Sequence, residues 1–136
     1  MKITIKEHSP GITDVPGFSA SAVGSDIRGT RDHERLDLGI ILSEKPCAGA
    51  GVFTQNDIAA APVLYCKSLL SPTQVFHGIV ANSGNANACT GKQGETDCAA
   101  MADFTREALS LPPKSVFVCS TGRIGRALPM EKIRTG

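Results

Sequence analysis

Tryptophan is absent from this 136-residue chain, and one tyrosine with five phenylalanines makes aromatics only 4% of it. A platform for single-stranded nucleic acid needs aromatic faces beside a basic groove, and neither is present. Charge of one sign is not in surplus either: 14 Lys and Arg stand against 13 Asp and Glu, a formal net charge of +1. That balance argues against a basic nucleic-acid face and against an acidic tail. No apolar run approaches the length of a membrane span, and the opening Met1-Lys2-Ile3-Thr4-Ile5-Lys6-Glu7-His8 lacks the apolar core of a secretory signal. Five cysteines, Cys47, Cys66, Cys89, Cys98 and Cys119, are odd in number and have no CxxC spacing. They read as small buried hydrophobes in a reducing cytosol, which makes the expected location cytoplasmic. His8, His33 and His77 are too far apart for a metal-ligand motif, and His77 sits in an apolar run that suits a hydrogen-bonded core or edge residue. There is no P-loop, no dinucleotide fingerprint and no Gly-x-Ser-x-Gly elbow.

What remains is an aliphatic core of Val, Ile, Leu and Ala, enough for one modest domain. The small residues Ser19-Ala20-Ser21-Ala22-Val23-Gly24 suggest a strand. The stretch Ser25 to Arg35 reads as a solvated connection, its Arg28, Arg31 and Arg35 interrupted by Asp26, Asp32 and Glu34. Leu36, Leu38, Ile40 and Leu42 alternate along a strand. A turn at Ser43–Ala48 and a glycine-rich strand at 49–54 then predict a hairpin. Ala61-Pro62-Val63-Leu64-Tyr65-Cys66 reads as an edge strand. In the second half the period changes. Val75 to Ala81 predicts a strand, and Cys98, Met101, Phe104, Ala108 and Leu111 fall on one helical stripe. Thr90 and Gln93 have capping-box spacing, and Pro112-Pro113 ends the helix. A strand at 116–119 completes a strand–helix–strand crossover, and Pro129 opens a last helix.

Two loops carry the chemistry. The run Val116-Phe117-Val118-Cys119-Ser120-Thr121-Gly122-Arg123-Ile124-Gly125 is a strand that delivers a small, hydroxyl-bearing turn. The Thr121 hydroxyl and the Gly122 amide are two neutral donors, suited to an oxygen that becomes negative in acyl transfer, to a phosphate, or to each other. Cys119 is a conceivable nucleophile, but no base is indicated nearby and packing is the better account. Arg123 and Arg126 flank the turn, either as solvated charges or as attraction for an anion. The second loop is Asn82-Ser83-Gly84-Asn85-Ala86-Asn87-Ala88-Cys89-Thr90-Gly91. Its amides are expected to bond their own backbone, with direct substrate contact as the alternative.

Together these loops resemble the bifunctional ornithine acetyltransferase / glutamate N-acetyltransferase family of arginine biosynthesis. Leu128-Pro129-Met130, Gly51-Val52-Phe53-Thr54-Gln55-Asn56, Ala60-Ala61-Pro62-Val63 and Pro16-Gly17-Phe18 extend the resemblance over nearly the whole chain. The resemblance implies a layered α/β sandwich of the self-cleaving threonine-nucleophile type, incomplete without its β chain. It implies that residues 1–136 are a single N-terminal α-side portion ending before the autocleavage site, with the nucleophilic threonine on that β chain. It maps the oxyanion hole onto Thr121 and Gly122. Acetyl would pass from N-acetylornithine to glutamate, with acetyl-CoA as a possible further substrate. No cofactor or metal is implied, and the assembly would be a hetero-oligomer of α and β chains. Arg123 departs from the family pattern, which has a small apolar residue there. The rival expectations are a related self-cleaving aminopeptidase and a non-catalytic truncation remnant.

Overall fold

A computed structural model describes residues 11–32, 34–71 and 74–136. The expected alternation at Ile3 and Ile5, with His8 and His33, lies outside the described residues. After a short 3-10 turn (Ile12–Asp14), the elements are β1 (Phe18–Val23), β2 (Leu38–Ala48), α1 (Ala61–Leu69), β3 (Val75–Asn85), α2 (Gly91–Ala108), β4 (Val116–Arg123) and α3 (Met130–Thr135). The four strands form one mixed sheet in chain order. β1 pairs antiparallel with β2, and β2 with β3, while β3 and β4 run parallel on either side of the α2 crossover.

The helices gather on one face of the sheet. Leu38, Val80, Val116 and Val118 meet Ala61, Cys98, Met101, Ala102, Leu128 and Ile133 in a single core, where Cys98 and Met101 are fully buried. Each large apolar side chain buried this way contributes about 1.5–3 kcal/mol. On the other face, Ile41, Ile79 and Phe117 sit side by side in register, next to a recess of about 270 Å³ floored by the stacked rings of Phe76 and Phe117. Among the described residues no helix is long and apolar enough to cross a membrane.

The first half departs from the sequence expectations in three places. Ala61–Cys66 is not an edge strand but the start of helix α1, with Pro62 in the first turn, where its missing N–H costs nothing. Ala61, Pro62, Cys66 and Leu69 are its buried residues, a helical spacing hidden by the β-formers Val63 and Tyr65. The Cys66 thiol both donates to the Val118 carbonyl at 3.2 Å and accepts from its N–H at 3.4 Å, docking α1 onto β4. Residues 49–54 form no strand, so the expected hairpin does not exist; β2 itself continues to Ala48 by way of an irregularity between Leu42 and Cys47 that accommodates Pro46. Leu36 lies outside β2 and is 64% exposed. The Thr90–Gln93 capping box also fails to form. Thr90 is the N-cap without a side-chain cap bond, because its hydroxyl donates to Asn87 Oδ1 and Gln93 Nε2 donates to Asp97. Pro129 is the N-cap of α3 rather than its first helical residue.

Candidate functional site

The parallel pair β3 and β4 brings both motif loops to one end of the sheet. Asn82 lies beside Ser120, Ser83 beside Thr121 and Gly84 beside Gly122. There the register breaks: Asn85 faces both Thr121 and Arg123. Glycine makes the break possible. Gly84 has φ +101° and Gly122 φ +133°, conformations that L side chains rarely adopt. A Cβ on Gly122 would overlap the Gly84 carbonyl carbon and stand 2.5 Å from Asn85 N. Beyond the break the loops stay laced together, with Ala86 N–H donating to Arg123 O and Gly125 N–H donating to Ala88 O, both at 2.8 Å.

The three asparagines are spent inside the protein. Asn82, Asn85 and Asn87 are 3%, 4% and 0% exposed. Asn82 Nδ2 donates to Asn85 O at 2.9 Å, and Asn85 Nδ2 donates to Ala127 O at 2.9 Å and to Arg126 O at 3.2 Å. Asn85 Oδ1 accepts from the Asn87 N–H at 2.8 Å. Asn87 Nδ2 donates to Gly94 O at 2.8 Å, inside the first turn of α2. Its own φ of +47° suits asparagine, the residue after glycine that best tolerates the left-handed region. The loop is thereby a brace between β3, α2 and the 126–127 segment. Asn82 Oδ1 and, beside it, Ser120 Oγ are buried without partners among the described residues.

The Thr121–Gly122 turn is the opposite. Both residues are exposed, and the Thr121 hydroxyl makes no hydrogen bond to another described residue. A hydroxyl and the adjoining glycine N–H at an exposed strand end can act as donors to an oxygen gaining negative charge. Cys119 is exposed as a residue, yet burial around its thiol pushes the pKa up, away from the thiolate a nucleophile needs. Cys98 is pushed up to about 12 by burial and is a core residue. His77 lies in β3 at the recess on the far face, its Nδ1 buried without a partner among the described residues.

Arg123 and Arg126 are both exposed. Arg123 does not simply enter solvent: its Nη1 donates to Arg28 O at 3.3 Å, across 95 residues of sequence. Arg28 is the residue that sequence reasoning placed in a solvated loop. It is half-buried, with its backbone against Gly84. Two aspartates fold the chain there. Asp37 accepts from the N–H groups of Ser25 and Ile27, both at 2.7 Å, and Asp26 accepts from Thr30 and Arg31 N–H and pairs with Lys132 Nζ at 2.7 Å. The Lys132 hydrogen bond, helped by those two amides, holds the Asp26 carboxyl below the usual aspartate range. The sequence signal that could have found this organisation is the pair of aspartates on either side of Arg28, since short carboxylates readily accept from nearby backbone N–H groups.

A mixed α/β sheet with helices on one face, and an exposed donor pair at the end of its parallel strands, defines the class. The pattern of the ArgJ family matches residues 19–136, and the chain belongs to that family. It is 46% identical over 129 residues to the arginine biosynthesis bifunctional protein ArgJ 1 of Clostridium acetobutylicum, covering 95% of this chain and 31% of that protein. To the corresponding ArgJ of Thermotoga neapolitana it is 48% identical over 122 residues, covering 88% and 30%. Its fold matches the crystal structure of ArgJ from Bacillus halodurans with a TM-score of 0.84 at 38% identity, over 92% of this chain and 63% of that one. It matches the ornithine acetyltransferase of Mycobacterium tuberculosis, crystallised with ornithine, with a TM-score of 0.84 at 42% identity, over 93% and 66%. The chain thus spans about 30% of the length of the curated relatives it matches.

Proposed function

We propose that this chain is the α-side portion of an acetyltransferase that moves acetyl from N-acetylornithine to glutamate. In this reading a threonine on a β chain attacks the acetyl carbonyl, whose carbon becomes tetrahedral while its oxygen turns negative. The Thr121 hydroxyl and Gly122 N–H donate to that oxygen. Collapse of the intermediate breaks the C–N bond, the threonine's proton passes to the departing amine, and ornithine leaves with acetyl held on the threonine; the neutral amine of glutamate then attacks through the same oxyanion geometry, and its proton returns to the threonine oxygen as the ester bond breaks. Acetyl-CoA is a second donor to the same acyl-enzyme. No step calls on a metal or a redox group. The observation that carries the reading is the exposed Thr121–Gly122 pair, fixed in place by the Gly84–Gly122 contact within a chain of the ArgJ family.

The test replaces the matching segment of the Mycobacterium tuberculosis ornithine acetyltransferase with residues 19–136 and follows isotope exchange between N-acetylornithine and glutamate. Exchange in the chimaera, lost with Thr121→Ala and kept with Thr121→Ser, is the expected result. A folded, processed Thr121→Ala chimaera that exchanges at the parental rate would overturn the assignment.

A further inference from the structure

Strand β4 is the last in the sheet, and among the described residues no strand lies along its outer edge. Alternate residues of such a strand send their N–H and C=O groups to that open edge. Two observations fix which residues these are. The Cys66 thiol of α1 donates to Val118 O and accepts from Val118 N–H, so Val118 faces outward. Further along, Asn85 of β3 is partnered by Thr121 and Arg123 together, and Arg123 O accepts from Ala86 N–H. Thr121 and Arg123 therefore face β3, and Gly122 between them faces outward. Val118, Ser120 and Gly122 present their backbone groups to one edge. The N–H that Gly122 brings to the donor pair thus stands on the edge that α1 clasps four residues earlier.

Helix α1 holds this region at two points. Its first amide, Ala61 N–H, donates to Asn87 O of the asparagine loop at 3.3 Å, while Cys66 reaches β4. Among the described residues the Cys66 thiol is the one side chain hydrogen-bonded to the backbone of β4. Cys66 and Val118 are both buried, so removing the thiol leaves an N–H and a C=O unpaired out of water. Burial also raises the Cys66 pKa, which preserves the S–H that Val118 O accepts.

We infer that Cys66 is a positioning residue for the Gly122 donor: its thiol sets the course of the β4 edge and so the aim of the Gly122 N–H. The catalytic meaning of that aim rests on the acetyl-transfer reading above, whereas the placement of the amide does not. A misdirected N–H weakens the bond to an oxygen that gains its charge in the transition state, so the loss falls on kcat more than on substrate binding.

Two measurements separate the placement from the chemistry. In the ¹⁵N-labelled 136-residue chain, Cys66→Val fills the space of the thiol and removes both of its hydrogen bonds. The Ser120 and Gly122 amide resonances are expected to move and their order parameters to fall. Cys66→Ser, whose hydroxyl both donates and accepts, is expected to restore them. Ile40→Ala loosens the same core from β2, two strands away, and is expected to leave those amides in place. In the exchange-active chimaera, Cys66→Val is expected to lower kcat at least about tenfold with KM held within about twofold, and Cys66→Ser to recover most of the loss. Unmoved Ser120 and Gly122 amides in Cys66→Val, no recovery in Cys66→Ser, the same amide changes in Ile40→Ala, or a parental kcat in the Cys66→Val chimaera would each overturn the proposal. A parental rate in the Thr121→Ala chimaera overturns the acetyl-transfer reading instead, and the amide measurement then decides the placement of Gly122 alone. Should Cys66→Val lose the folded spectrum, Cys66→Ala decides by the same criteria.

Discussion

The two loops at the end of β3 and β4 are neighbours of similar polarity, and they spend their polar groups in opposite ways. Between Asn82 and Gly91 the asparagine amides are turned inward onto carbonyls and N–H groups of the same region. Between Thr121 and Arg126 the side chains are turned outward, and the Thr121 hydroxyl is left to meet whatever arrives. Side-chain amides bonded to backbone fix geometry, whereas an unbonded donor on fixed geometry is preorganised for a ligand. The asparagine loop is the brace and the threonine turn is what it holds.

That contrast can be broken at several points. The largest effect is expected on chemistry: Thr121→Ala in the active chimaera should lower kcat by about 10²–10³ while leaving KM and the urea midpoint close to the parent. A change in stability with no change in kcat would place Thr121 among the braces. Gly122→Ala should act on structure instead. Its methyl meets the Gly84–Asn85 backbone at a positive φ, so overpacking and strain together should cost about 2–4 kcal/mol, read from urea unfolding of the 136-residue chain. Asn87→Ala removes the donor to Gly94 O and the acceptor for Thr90 Oγ and should cost about 1–3 kcal/mol. A neutral Asn87→Ala would mean that the brace lies elsewhere.

The smallest effect sharpens the contrast at the segment that backs Gly84. Asp26 has its pKa depressed in the folded chain, chiefly by the hydrogen bond from Lys132. Its contribution to stability is therefore full above the ordinary aspartate pKa and is lost as pH falls through the lower, folded value. Asp26→Asn keeps a residue tolerant of φ +52° and should lower stability near neutral pH, where the Asp26 contribution is full, and flatten the acid limb so that the two stability–pH curves converge as pH falls through the folded Asp26 value. An unchanged acid limb would remove Lys132 from the account.

Legibility in the sequence followed how local the signal was. The α2 stripe at Cys98, Met101 and Phe104 and the strands before and after it were readable, because periodicity within one element is set by its own residues. Helix α1 was misread because Val63 and Tyr65 favour strands in isolation, and the Cys66–Val118 docking that decides the matter spans 52 residues. The asparagine loop was anticipated as self-bonded, since asparagine carries both donor and acceptor. Arg28 was not anticipated as part of the site region. Its place depends on Asp37 gathering the Ser25 and Ile27 amides and on Gly84 admitting its backbone, both contacts between distant parts of the chain. The Thr121–Gly122 pair was visible as a motif, whereas the absence of any partner for its hydroxyl among the described residues is visible only in the fold.

The two hydrogen bonds that lace the loops, Ala86 N–H to Arg123 O and Gly125 N–H to Ala88 O, have a kinetic consequence. Neither loop can swing away without releasing the other, and the asparagine loop is tied through Asn87 to the first turn of the 18-residue helix α2. The turn that carries Thr121 therefore borrows its lifetime from a helix whose inner stripe is packed in the core rather than from its own exposed contacts. In hydrogen exchange the amides of Ala86 and Gly125 should open as one cooperative unit with the start of α2, slower than the exposed residues around them.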